Sequence, residues 1–309
     1  MTPAPVILQR REILGTRPGP HLLITGGVHG DEFEPMAAIR RLIAEFDQNP
    51  ALAAKLHGRL TLVPVVNKGA FVRGHRVAED QLDLARTCPG RPDGSVTERT
   101  AHALSEFIRA ADAYIDLHTG GTELAVFPMT GYVLHPRPEV LAIQRRMARA
   151  FNLPVIWGTS PELEGRSLSV ARDAGVPAIY AEHHGAAACR AEGVEAYVAG
   201  CWNVMAELGL LARPQPASAV RHCVEDTRPQ SGHMQVCNPS PITGCFTPAV
   251  ALGDAVREGD LLGIVTDVLG TDHREIRAQQ AGLVLVLRTF PRVRAGETVG
   301  VILETPKAS

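Results

Sequence analysis

The chain has 309 residues, 45% of them hydrophobic, enough for one large or two smaller globular domains with a sizeable core. A formal net charge of −2 excludes a surface that holds nucleic acid or membrane by bulk charge, and aromatics at 5% argue against a base-stacking platform. Six cysteines (Cys88, Cys189, Cys201, Cys223, Cys237, Cys245) lack paired-knuckle spacing and are expected to be mostly buried free thiols. Residues 1–15 carry Gln9-Arg10-Arg11-Glu12 and no apolar core of signal-peptide length, and no uncharged apolar run reaches the roughly 18 residues of a membrane span. A cytoplasmic protein with no membrane or nucleic-acid partner is expected.

Short apolar runs and helical patterns alternate over the first two thirds. Strands are predicted at 21–25, 60–66, 113–117, 124–129 and 176–181, and helices at 33–46, 97–110, 138–151 and 194–211. Pro35 suits a first helical turn, and Thr97 with Thr100 suits an N-terminal cap region. This alternation predicts an α/β domain with a mostly parallel sheet, whose ligands collect at the carboxyl ends of the strands. Pro214-Gln215-Pro216-Ala217-Ser218 then breaks the helical pattern as a linker, which divides the chain into domains 1–213 and 219–309.

The second part is rich in Gly and Pro, shows no convincing helix and contains a weak internal repeat. Val256-Arg257-Glu258-Gly259-Asp260 and Gly263-Ile264-Val265 return as Val293-Arg294-Ala295-Gly296-Glu297 and Gly300-Val301-Ile302, 37 residues later. Gly244-Cys245-Phe246 returns as Gly282-Leu283-Val284, 38 residues later. Each half places a V-x-x-G-[DE] turn between strands. This resembles the two halves of a biotinyl/lipoyl-like barrel-sandwich domain. The stretch 266–280 holds no Lys, so a structural cap over the site is expected rather than a swinging-arm carrier.

His29-Gly30-Asp31-Glu32 follows the apolar run Leu22-Leu23-Ile24-Thr25-Gly26-Gly27-Val28 and precedes a helical stretch. At such a turn His29 and Glu32 can both point at one ion, and imidazole plus carboxylate suits Zn²⁺. His118, in Asp116-Leu117-His118-Thr119-Gly120-Gly121, supplies a third ligand at another strand end. Three protein ligands leave a fourth position open, the catalytic arrangement. Asp116 shares the strand face of His118 and is a candidate to orient it. Glu182, in Ile179-Tyr180-Ala181-Glu182-His183-His184-Gly185, ends a strand and is the candidate general base, while His183 and His184 read as surface or supporting residues. Arg73, His75 and Arg76 precede Asp83-Leu84-Ala85-Arg86, with Asn67 upstream. Arginines here suit a carboxylate or a developing oxyanion, against the plainer reading of a solvated basic loop.

The set G-x-H-G-D-E, N-x-x-A-F, R then D-L-x-R-x-x-P-G, D-L-H-T-G-G and a later E-x-x-G resembles the succinylglutamate desuccinylase/aspartoacylase family, a branch of the zinc carboxypeptidase-like fold. The similarity spans about 22–209. It implies a mixed, mostly parallel sheet flanked by helices, a C-terminal all-β domain, and one Zn²⁺ per subunit on His29, Glu32 and His118. By the same resemblance Glu182 activates water, Arg76 polarises the scissile carbonyl with Arg73 as its fallback, and Arg86 holds the carboxylate of a small-molecule substrate. Asn67, Gly120 and Gly121 join the substrate-binding set, and a homo-oligomer is expected. The implied activity is a zinc-dependent amidohydrolase that deacylates an N-acyl amino acid or similar small carboxylate. A carboxypeptidase on short peptides and a catalytically dead ligand-binding homologue are the alternatives. The family usually reads D-L-N-R-x-F-P-G, whereas this chain has Ala85 for the amide and Cys88 for the aromatic, and the 76–83 segment is about one residue short.

Overall fold

The computed structural model describes residues 6–229, 231–232 and 237–305. The outermost residues of the two expected domains, 1–5 and 306–309, lie outside that range. In chain order the first elements are β1 (Arg11–Leu14), β2 (Arg17–Thr25), α1 (Phe33–Gln48), α2 (Pro50–Ala54), β3 (His57–Val63), α3 (Lys68–Arg73), a 3₁₀ turn (Leu84–Arg86) and α4 (Val96–Arg109). Next come β4 (Ala113–His118), β5 (Leu124–Val133), α5 (Pro138–Phe151), β6 (Val155–Thr159), α6 (Ser167–Ala174), β7 (Ala178–Gly185) and α7 (Ala191–Glu207). The remainder is β8 (His222–Glu225), β9 (Gly244–Pro248), β10 (Ala255–Val256), β11 (Leu261–Thr266), β12 (His273–Arg277), β13 (Gly282–Arg288), β14 (Arg292–Val293) and β15 (Gly300–Leu303).

The central sheet runs β1-β3-β2-β4-β7-β5-β13-β10, with β6, β8 and β15 joined to its side. Strands β3, β2, β4 and β7 are mutually parallel, and β5 runs antiparallel to β7. The fold is thus mixed α/β with a mostly parallel centre. Side chains alternate across it. Leu22, Ile24, Ile115, Leu117, Ile179 and Ala181 face the layer of α1, α5 and α7, packing on Ile39, Leu42, Phe151 and Tyr197. Leu23, Tyr114 and Ala178 face the other layer, packing on Leu104 and Ile108 of α4 and Ala171 of α6. Period two then sends Asp116 and His118 of β4, and Tyr180 and Glu182 of β7, to this second face at the carboxyl ends of the strands.

Several expectations change. β7 runs on through Glu182 to Gly185, so Glu182 lies inside a strand rather than after one. The first cap of α4 is Ser95: its Oγ accepts from the Glu98 N–H at 3.4 Å, and the Glu98 carboxylate accepts from the Ser95 N–H at 2.8 Å. Thr97 instead donates N–H and hydroxyl to Asp80, at 2.9 and 2.7 Å. The cysteines carry no disulfide, but of the six only Cys88 and Cys201 are buried, because Cys189 sits on a connection, Cys223 on the edge strand β8 and Cys245 on the outward face of β9.

The C-terminal repeat has a structural counterpart. Strands β9, β10 and β11 of its first half correspond to β13, β14 and β15 of its second. Short strand β10 pairs with β13 and short strand β14 pairs with β9, so each half lends one strand to the other. Gly259 and Gly296, at the equivalent turns, share φ +86, a conformation that glycine adopts without strain. A separate antiparallel sheet, β12-β11-β9-β14, closes over a core of Phe246, Leu262, Val265, Val284, Val293 and Ile302. The repeat is continuous with the central sheet, since β13 pairs antiparallel with β5, Arg288 opposite Leu124.

Candidate metal centre and its cavity

The loop after β2 brings the first two donors together. Gly27 adopts φ +65, and a Cβ on Gly30 would overlap the carbonyl of Ala70, so the loop can dock directly on α3. Asn67 holds that docking: its Oδ1 accepts from the Ala70 N–H at 3.1 Å, and its N–H donates to the Gly27 carbonyl at 2.8 Å. Asp31 ties the loop to the turn after β4, its Oδ2 accepting from the N–H and hydroxyl of Thr122 at 2.9 Å each. A Cβ on Gly121 would crowd this carboxylate, and Gly121 itself has φ +61.

Donor atoms of His29, Glu32 and His118 all lie within 4.8 Å of one another. Glu32, buried as the N-cap of α1, offers one oxygen to each histidine: Oε1 lies 2.7 Å from His29 Nδ1 and Oε2 lies 3.1 Å from His118 Nδ1. The far ring nitrogens also meet carboxylates. His29 Nε2 lies 3.0 Å from Asp83 Oδ1, and His118 Nε2 lies 3.1 Å from Asp116 Oδ2. With Nε2–H donating outward, the neutral form of each imidazole turns its Nδ1 lone pair to the cluster, the carboxylate–histidine arrangement of metal ligands. Two imidazoles and one carboxylate with oriented lone pairs fit a Zn²⁺ ion.

The supporting acids are themselves held. Thr25 Oγ1 donates to Asp116 at 2.9 Å, as does the hydroxyl of Ser167, and Arg76 donates to Asp83 at 3.0 and 3.2 Å. Burial opposes the charge on Glu32, but His29 and His118 outweigh it and keep the carboxyl well below its usual range. Burial likewise opposes charge on His118, yet Asp116 and Glu32 hold its pKa well above that of ordinary imidazole. For Asp83, the His29 hydrogen bond and Arg76 overcome burial and depress the pKa.

Glu182 differs from these acids. It pairs in register with His118, is buried, and has one carboxylate oxygen without a hydrogen-bond partner among the described residues. Burial pushes its pKa up to about 8, with His118 pulling down and Glu32 pushing up. It lines one cavity with His29, Glu32, His118, Arg76 and Arg86.

Gly120 and Ala85 also line this cavity, and Gly120 donates its N–H to the His184 carbonyl at 2.8 Å. Asn67 and Gly121 brace the loops behind it, and Arg73 is exposed at the end of α3. Arg86 donates to the Ala85 carbonyl at 2.7 Å, and its pKa is lowered by removal from water and by Arg166. Cys88 is buried against α4 and α6, where burial raises its thiol to about 12. His183 is buried and lowered to about 4 by burial and His184, which makes it a neutral supporting residue. Val286 of β13 and Gly232 complete the wall, so the C-terminal part contributes to the cavity.

Three contributors escape the sequence reading: Asp83 as the partner of His29, and Arg166 and Tyr180 in the wall. Asp83 stood in a motif read for its arginine, while Arg166 and Tyr180 carry no local spacing signal.

Known proteins resemble this chain over most of its length. The model of the succinylglutamate desuccinylase/aspartoacylase catalytic domain matches residues 18–208. The chain is 31% identical to the N-alpha-acetyl-L-2,4-diaminobutyric acid deacetylase of Halomonas elongata, over 93% of this chain and 82% of that protein. It resembles the product-bound structure of the ectoine utilization protein EutE (DoeB) from Ruegeria pomeroyi, with TM-score 0.84, 29% identity and coverage of 96% and 89% of the two chains. A succinylglutamate desuccinylase/aspartoacylase structure from Rhodobacter sphaeroides superposes with TM-score 0.84, at 26% identity and the same coverage. The chain belongs to the succinylglutamate desuccinylase/aspartoacylase family.

Proposed function

We propose that this protein is a zinc-dependent amidohydrolase that removes the acyl group from an N-acyl amino acid. The observation that carries the proposal is the juxtaposition of three metal donors with the raised, partly unsatisfied carboxylate of Glu182 in one cavity. His29, Glu32 and His118 would hold the ion, which when bound supplies a Lewis acid for the acyl carbonyl and lowers the pKa of water.

The chain's own residues do the rest. Glu182 takes the proton of the attacking water and passes it to the leaving amine, a task that suits a carboxylate with a raised pKa. Arg76, fixed by Asp83 and close enough to feel Glu32, presents a guanidinium to the developing oxyanion. Arg86 and the half-buried Arg166 supply positive charge for the substrate carboxylate and thereby orientation. Leu124, Val126, Val133, Leu168 and Val286 give the cavity an apolar wall that suits a small acyl amino acid. The relatives support an N-acyl amino acid substrate, one being an N-acetyl amino acid deacetylase by name.

The division 1–213 and 219–309 remains a functional one in this reading. The first part carries all donors and Glu182, and the second, read as a barrel-sandwich, closes the wall through Val286. Free thiols fit a cytoplasmic location. The test is metal analysis combined with an amine-release screen over N-acetyl and N-succinyl amino acids. One equivalent of zinc and release from at least one substrate are expected. Release from unblocked dipeptides alone would overturn the assignment.

A further inference from the structure

One hydroxyl in the cavity has no role in the mechanism above. Tyr180 lines the cavity from β7, its Cα paired with Asp116 on one side and Gly131 on the other. A Cβ on Gly131 would overlap the Tyr180 ring at Cε1, Cζ and Oη. The ring therefore lies flat on the backbone of β5, in space that glycine leaves empty, and its position is fixed by packing. The Tyr180 hydroxyl has no hydrogen-bond partner among the described residues.

Arg166 is placed at the same depth. Its neighbour Ser167 donates to Asp116, the residue in register with Tyr180. Tyr180 and Arg166 each act electrostatically on the other, and Arg166 has no acidic hydrogen-bond partner among the described residues. Burial and the charge of Glu182 raise the Tyr180 pKa, so its hydroxyl remains a donor across the working range. Two donors, a guanidinium and a phenol, thus sit together in the cavity with Glu182 and Asp83 as charged neighbours but with no acceptor bonded to either donor among the described residues. The missing partner is an anion, and a carboxylate has lone pairs for both. Tyr180 precedes Glu182 by two residues, about 6.6 Å along a strand, away from the end where the metal donors meet. That depth suits the substrate's fixed end rather than its reacting carbonyl.

We propose that the Tyr180 hydroxyl is a substrate-binding donor that, with Arg166, holds the free carboxylate of the N-acyl amino acid. This rests on the deacylase reading above. The test compares wild-type holoenzyme with Tyr180→Phe on a hydrolysed N-acyl amino acid and on its carboxamide. The phenylalanine keeps the ring packed on Gly131, and metal content reports that the centre is intact.

The expected result is a rise in KM of about tenfold or more for the carboxylate, as for loss of a hydrogen bond to a charged group, with kcat within about threefold. For the carboxamide the two enzymes should be alike. In an Arg166→Lys background the same change should cost less, because the two donors share one anion. An unchanged KM, a fall in kcat alone, or an equal penalty on the carboxamide would overturn the proposal while wild-type turnover leaves the deacylase reading standing. A wild-type enzyme inert on every N-acyl amino acid would overturn both.

Discussion

At one end of the cavity, His29, Glu32 and His118 meet with every outward nitrogen bonded to a carboxylate and every such carboxylate held in turn by Thr25, Ser167 or Arg76. Glu182 beside this cluster offers an acceptor oxygen, and Tyr180 and Arg166 at the other end offer donors, that lack partners among the described residues. The donor cluster has its hydrogen bonds made internally, and in the proposed function a cation completes it. The open donors and acceptor leave capacity for the proposed substrate. Buried polar groups cost free energy unless bonded, so a cavity that keeps them open does so where a ligand or reacting group will supply the bond.

Removing the metal should break the contrast most severely. Chelation is expected to bring amine release to background and added Zn²⁺ to restore it, as an activity assay on stripped and reloaded protein will show. Next in size are the histidine-orienting acids. Asp116→Asn or Asp83→Asn should weaken metal affinity by about 10- to 100-fold while the protein stays folded, measurable by competition with a chromogenic chelator.

The C-terminal part should respond in stability more than in chemistry. Arg288 is buried and donates to Glu123 at 3.2 Å and Glu297 at 3.1 Å, while Arg292 donates to Glu123 at 2.6 Å. Glu123 lies in the turn after His118, so this cluster fastens the repeat to the wall of the site. Arg288→Met should cost about 2–3 kcal/mol in denaturant unfolding, less than a fully buried pair because water reaches both carboxylates. The smallest effect is in pH. In its proposed role Glu182 is a base only when ionised, so kcat/KM should fall with unit slope as pH drops through its pKa. That value is about 8 without a cation, and a bound ion lowers it, which puts the acidic limb of the loaded enzyme below 8. A rate profile in which this limb disappears in Glu182→Gln would sharpen the contrast.

The two ends also differed in how far the sequence revealed them. His29 and Glu32 fall within four residues at the end of an apolar strand, and His118 ends another, so period and position exposed them. Asp83 supports His29 from 54 residues away, a contact no local pattern encodes. Tyr180 reads as one more apolar strand position, and only its pairing with Gly131 shows that its ring is pinned in the cavity. The five-residue β6 and the eight-residue α6 were too short for periodicity to reveal, and the α6 start carries Arg166 and Ser167 with it. The repeat after residue 218 was legible as two halves, but the joining of β13 to β5 was not, because strand partners are set by tertiary packing rather than by spacing.

Glu182→Gln, assayed for bound metal and turnover in the same preparation, tests the central claim most directly. The glutamine fills the same space and lies outside the donor cluster, so one equivalent of zinc should remain while turnover falls by about 10²–10⁴-fold. Near wild-type turnover with the metal in place would contradict the account.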